Sequence, residues 1–136
     1  MKKMVLASMT AALLASQAAQ AACPADKFSA FFPKFADSVA VQKTYTDYPL
    51  AHMLLDHAAK PAPREMQVKV DKAKLAFPLV PAAQERKRLK LAFKVEEGSA
   101  SSATATLFNE DRGYKMVYVF RKDACWKLAR VEDRSM

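Results

Sequence analysis

The feature that most constrains this 136-residue chain is its pair of cysteines, Cys23 and Cys125, which stand near opposite ends of the sequence with no third thiol between them. Two thiols so placed are expected to join in an oxidising compartment. Closing a loop of roughly 100 residues removes unfolded-state freedom equivalent to about 4–5 kcal/mol in the chain-entropy model. The competing use of Cys23 is lipid attachment. That requires a bulky apolar residue three positions earlier, where Gln20 stands, and it leaves Cys125 unpaired. A Cys23–Cys125 disulfide is therefore expected, tying the start of the exported chain to its final strand.

The first residues agree with export. Lys2 and Lys3 supply a positive start, Met4 to Leu14 form an uncharged apolar stretch, and Ala19-Gln20-Ala21 fits the small-x-small rule for signal peptidase. We expect residues 1–21 to be a signal peptide cleaved near Ala21 and residues 22–136 to be one domain. The apolar stretch falls short of the roughly 20 residues a spanning helix needs, and no later segment is longer, so no stable membrane insertion is expected. The expected location is periplasmic or secreted. Of the 22 Lys and Arg, loss of Lys2 and Lys3 leaves 20 against 14 Asp and Glu, a net charge of +6. A basic domain favours anionic partners, although the charge also serves plain solubility.

Along the remaining chain, Phe28, Phe31, Phe32 and Phe35 recur at i, i+3, i+4 and i+7, the stripe of an amphipathic helix. Pro33 inside it predicts a kink or break. Asp37-Ser38 predicts the cap of a second short helix. Thr44 to Tyr48 reads as a short extended segment ending at Pro49, and Leu50 to Ala59 as a further helical turn or two. Period two then takes over: Met66, Val68 and Val70 form a half-buried strand, and Leu89, Leu91, Phe93 and Val95 a second. Ala103 to Phe108 reads as a third. Asn109 to Gly113 reads as a hairpin connection with Gly113 at positive φ. Tyr114 to Arg121, apolar on both faces, is expected to be central, and Cys125 to Val131 is the last strand. The expected fold class is α+β, with N-terminal helices packed on a curved antiparallel sheet of four to six strands.

A set of elements in this order is also familiar. A Phe-rich first helix leads through Gln42 and Thr44 into Tyr48-Pro49-Leu50; Phe77-Pro78 follows; Tyr118-Val119-Phe120, Trp126-Lys127-Leu128 and Glu132-Asp133-Arg134-Ser135 close the chain. The sequence resembles secreted bacterial members of the nuclear-transport-factor-2-like, or cystatin-like, superfamily, in its uncharacterised branch. The resemblance implies a cone with a cavity between helices and sheet. Such folds serve as isomerases, dehydratases, dimerisation modules, partner-binding proteins and immunity proteins, and fold alone does not choose among them.

Chemistry is sparse. His52 and Asp56 would touch if four apart on a helix, with His57 pointing elsewhere; that spacing matches no common zinc pattern. The chain has two glycines and no Gly-x-Ser-x-Gly elbow or phosphate-cradling loop. We expect no catalytic residue, no metal and no cofactor. Arg86, Lys87, Arg88 and Lys90 are the densest basic cluster. If the strand from Leu89 extends backward, Arg88 and Lys90 share one face and join Lys69, Lys72 and Lys74 of a neighbouring strand in a partner-binding surface. Nucleic acid is not expected, since the strand aromatics read as inward-facing rather than interleaved with these charges. Phe28, Phe32, Phe35, Tyr118 and Trp126 are the candidate pocket lining, or else core. The functional expectation is an exported binding protein without enzymatic activity, monomeric or homodimeric. It would act as an immunity or inhibitor protein on an acidic protein partner; the alternative is a small-ligand protein or an isomerase/dehydratase-type enzyme using the cone.

Overall fold

A computed structural model describes residues 22–136. The expected signal peptide, residues 1–21, and its cleavage point lie outside the described residues. Helix α1 (Phe28–Asp37) and helix α2 (Val39–Thr44) are followed by strands β1 (Thr46–Asp56) and β2 (Arg64–Val70), helix α3 (Ala83–Arg88), and strands β3 (Ala92–Ser99), β4 (Ser102–Asn109), β5 (Tyr114–Lys122) and β6 (Trp126–Asp133). The six strands form one sheet in the order β2-β1-β6-β5-β4-β3. Neighbours are antiparallel except β1 and β6, which run parallel where the first hairpin meets the last strand. The architecture is thus the α+β fold expected, with one parallel junction added.

The helix stripe behaves as its spacing demands. Phe28, Phe31, Phe32 and Phe35 are all buried, and Phe120 of β5 meets every one of them, with ring centroids at 5.1, 5.9, 5.8 and 5.1 Å respectively. Such tilted and edge-on pairs add about 0.5–1.5 kcal/mol each beyond area burial. Small Ala103 and Ala105 on β4 leave room for the helix to lie close. Pro33 does not break α1, which continues to Asp37; the rings on either side of it anchor the helix by packing. Ser38 caps α2 as expected, its Oγ accepting from the Val41 N–H at 3.2 Å.

Cys23 and Cys125 form a disulfide with Cα atoms 5.4 Å apart. Beside it the Trp126 indole N–H donates to the Asp26 carbonyl at 2.9 Å, and Trp126 packs edge-on against Phe28 at 5.1 Å. Lys122 Nζ donates to the Asp26 carboxylate at 2.6 Å and holds that carboxyl below its usual range.

Three sequence expectations give way. Leu50 to Asp56 is strand, not helix, because β1 is paired on both sides, by β2 and by β6, and such pairing overrides an ambiguous local pattern. The strand passes through Pro49 at a register irregularity with β6 between Thr46 and Ala51, where the missing N–H is tolerated. Glu85 to Arg88 is helix, so the alternation of β3 does not extend backward to Arg88. Strand β2 has the expected period, but Arg64 to Lys69 are all exposed, since no helix reaches that edge.

Candidate functional site

The space between helices and sheet holds a packed cluster of buried side chains. Phe28, Phe32, Phe35, Tyr118 and Trp126, the candidate pocket lining, are each at most 5% exposed and belong to one continuous core with Leu50, Leu107, Leu128 and Val131. At its centre sits a polar residue that periodicity does not reveal. Gln42 is 1% exposed; its Nε2 donates to the Phe35 carbonyl at 3.0 Å, and its Oε1 accepts from the N–H of Leu79 at 2.6 Å. This amide stitches α1 to the crossing segment that carries Leu79 and Val80. Tyr118 completes the stitch by donating its hydroxyl to the Leu79 carbonyl at 2.9 Å. Burial pushes the Tyr118 phenol well above its usual range, as it does Tyr114 more mildly with help from the nearby Asp133 carboxylate.

His52 and Asp56 do not form the pair that a helix would bring together. Both lie on β1, where four residues span about 13 Å, so a strand separates what a helix would bring together. Asp56 instead accepts from the Ala58 N–H at 3.0 Å and closes the turn out of β1. His52 stands opposite Val68 on one side and Val131 on the other, with a buried Nε2 that has no hydrogen-bond partner among the described residues. Among those residues no group of three or more His, Cys, Asp or Glu is placed to hold a metal ion, and no helix is long and apolar enough to cross a membrane.

The basic cluster divides. Arg86 is structural: its side chain is 15% exposed and pairs with Asp37 at 2.9 Å, its Nη1 donates to the Pro81 carbonyl at 2.7 Å, and its guanidinium lies over the Phe93 ring at 5.1 Å. Arg88 is engaged by Glu85, Nε to Oε2 at 2.9 Å, which lowers the Glu85 carboxyl and raises the guanidinium. Lys87 and Lys90 are exposed. Lys69, Lys72 and Lys74 do not join them, because β2 and β3 occupy opposite edges of the sheet.

An opening lies on the other side of the sheet, the face turned away from α1. It is a concavity of about 540 Å³ lined by Lys94 and Glu96 of β3, Thr104, Thr106 and Phe108 of β4, Lys115 and Val117 of β5, and Glu110, Gly113, Tyr114, Arg134 and Met136 around one end. The register explains the grouping: Lys94, Thr106 and Val117 are successive cross-strand partners, as are Phe108 and Lys115. One flank is fixed by Glu132, 8% exposed, whose carboxylate accepts from Arg130 at 3.1 Å and from Arg134 at 2.6 Å. Hydrogen bonding to Glu132 raises the Arg134 guanidinium further. At the end of the concavity Gly113 has φ +64°, and a Cβ there would come within 2.6 Å of the Met136 carbonyl oxygen, so both conformation and space require glycine. Asn109 Nδ2 donates to the Leu89 carbonyl at 3.0 Å, which brings the turn bearing Lys90 to the same end of the sheet.

Sequence reasoning did not identify this concavity. Its signal was the alternate positions of β4 and β5: a row of Thr, Phe and Val that is neither charged enough to be plain surface nor apolar enough to be core.

No protein-family model matches the sequence, and no curated protein matches it. Among solved structures, an NTF2-like protein from Bacteroides fragilis NCTC 9343 superposes with a TM-score of 0.55 at 22% identity, over 80% of this chain and 47% of that one. This chain therefore spans about half the length of that protein. At this identity the likeness concerns the fold, which is NTF2-like.

Proposed function

We propose that this chain is a periplasmic or secreted binding protein without enzymatic activity, of the cystatin-like secreted kind its sequence resembles. The observation that carries this reading is the contrast between an interior packed with aromatic side chains and an outer sheet face that keeps an open concavity. The disulfide and the expected signal peptide support an oxidising compartment. Lys94 and Lys115 in the concavity, with Lys90 at its end, suit an acidic segment of a protein partner, and Phe108 offers an apolar anchor between them. Neutralising such a partner, as an inhibitor or immunity protein does, requires only occupancy of this face.

The test is a titration with an acidic peptide followed by backbone amide chemical shifts. Expected are shifts at Lys94, Thr106, Phe108 and Lys115, and affinity that falls roughly tenfold in the Lys94→Glu/Lys115→Glu variant, about 1.4 kcal/mol. Shifts confined to the α1 side, or binding indifferent to both reversals, would overturn the reading.

A second reading, a small-ligand site or an isomerase/dehydratase-type centre on the helix-covered side, draws on one observation, the unpartnered Nε2 of His52. It needs an opening that the packed aromatic core does not provide, and the outer face is preferred.

A further inference from the structure

We propose that the surface formed by the end of α2, the start of β1 and residues 72–78 docks on an anionic phospholipid surface, with Lys43, Lys72 and Lys74 facing the headgroups. The inference stands apart from the binding reading above, which concerns the outer concavity across β3, β4 and β5.

Two of these lysines are held by rings rather than by carboxylates. Lys43, in the last turn of α2, sets its ammonium 5.4 Å from the ring centroid of Phe77, and Lys72 sets its own 5.3 Å from the ring centroid of Tyr48. The two pairs are joined, because the Tyr48 hydroxyl donates to the Lys43 carbonyl at 2.7 Å. Register explains the second pair: Leu50 stands opposite Val70, and the same pairing carried two residues further brings Tyr48 to Lys72. Lys74 closes the single helical turn that Lys72 opens. All three lysines are exposed, and none forms an ion pair among the described residues. A ring attracts an ammonium group without neutralising it, so the positive charge is positioned and left available.

Charge decides what kind of partner fits. Residues 38–46 and 72–84 contain no Asp or Glu. Of the acids that border them, Asp47 is drawn toward Lys127 at 4.0 Å, and Asp71 precedes Lys72 in extended backbone, which directs adjacent side chains apart. The other basic clusters are diluted: Glu85 sits among Arg86, Lys87 and Arg88, and Glu96 and Glu110 share the concavity with Lys94 and Lys115. An ammonium is a point charge without the fork that grips one phosphate from two sides. Three of them spread over an exposed surface match a row of headgroups rather than one enclosed anion. The surroundings suit the same partner. Ala76 and Pro78, on either side of the half-buried Phe77, are exposed, and aromatic and apolar atoms among long lysine stems belong at the boundary of headgroups and acyl chains. Each lysine near an anionic bilayer adds an attraction that fades within a Debye length.

Co-sedimentation of the disulfide-bonded chain, residues 22–136, with phosphatidylcholine vesicles tests the docking, in parallel with vesicles that carry about one-third phosphatidylglycerol. Binding is expected only to the second, and to fall steeply as salt rises from about 0.05 to about 0.5 M. Lys43→Gln/Lys72→Gln/Lys74→Gln is expected to lower partitioning about a hundredfold. Lys27→Gln/Lys60→Gln/Arg112→Gln removes the same charge from exposed positions elsewhere and is expected to lower it less than about fivefold at physiological salt. In a second measurement on the unaltered chain, lipid spin-labelled at its headgroup is expected to broaden the amide signals of residues 43–48 and 72–77 and to leave Thr106 and Lys115 sharp. Absent binding to both vesicles, equal binding to both, equal losses in the two triple variants, or broadening centred on the concavity would each overturn the proposal. So would inorganic phosphate or an acidic peptide that shifts residues 43–48 and 72–77 with an affinity equal to that of the vesicles.

Discussion

On β4, Ala103, Ala105 and Leu107 are at most 2% exposed beneath α1, while Thr104, Thr106 and Phe108, each one residue further on, are half-buried on the opposite face. The same strand therefore serves two different surfaces. Beneath the helix the small alanines admit four phenylalanine rings, and the packing is closed. On the outer face the intermediate side chains leave a hollow, and the order there comes from ion pairs around Glu132 and from the return of residues 134–136 along Lys115 and Gly113. The difference teaches how one strand divides its labour: the closed face buries the aromatic core, and the open face leaves a concavity.

The sharpest way to break that contrast is to hollow the closed face. Phe28→Ala removes a ring in contact with Phe31, Phe32, Phe120 and Trp126 and is expected to cost about 3–5 kcal/mol in denaturant unfolding. Thr106→Ala on the open face is expected to stay within about 0.5 kcal/mol. Comparable losses at the two positions would mean that the outer face is also a core surface, covered in the functional protein.

A more specific loss is expected at Gln42. Gln42→Leu keeps the bulk and removes both ends of the amide, leaving the Leu79 N–H and the Phe35 carbonyl without the partner they now have. Unsatisfied buried groups cost about 1–3 kcal/mol each, so a loss of roughly 2–6 kcal/mol is expected for the two. Hydrogen exchange should quicken first in the segment around Leu79 and Val80. A neutral substitution would show that the crossing segment is held by packing alone.

These two sites also mark what sequence could and could not disclose. The Phe stripe was legible because four rings at helical spacing have only one economical arrangement, and the cysteines because an oxidising compartment leaves a lone pair of thiols little else to do. The alternation of β4 through β6 was legible for the same kind of reason, whereas the strand expected from Leu89 begins only at Ala92, because Leu89 ends α3. Gln42 was visible only as a residue in a familiar order of elements, since nothing local distinguishes a buried amide from an exposed one. Strand β1 was hidden because Leu50 to Leu55 lacks period two; its conformation is set by β2 and β6, and β6 is some seventy residues away in the chain. The run from Glu85 to Lys90 was misleading because charged residues suit an exposed helix as well as an exposed strand, and Arg86 spends its charge inward on Asp37 and Phe93. The concavity depended on register across three strands, which no single segment encodes.

On the closed face, the smallest effect at neutral pH is expected at Tyr118. Its hydroxyl donates to the Leu79 carbonyl, so Tyr118→Phe should cost only about 0.5–1.5 kcal/mol at pH 7. The alkaline behaviour is where the two chains separate. An unfolded tyrosine releases its proton near pH 10, whereas burial holds the folded Tyr118 phenol neutral well beyond that. Above about pH 10 the unfolded chain therefore binds fewer protons than the folded one, and stability falls as pH rises. Tyr114, also raised but only partly enclosed, adds a lesser share. Replacing Tyr118 by Phe removes the larger contribution, so the stability difference between the two chains should shrink from pH 9 to pH 11 and can change sign. Tyr114→Phe should flatten the same profile less. Parallel profiles for wild type and Tyr118→Phe would place the Tyr118 hydroxyl in contact with solvent and make the helix-covered face as open as the other.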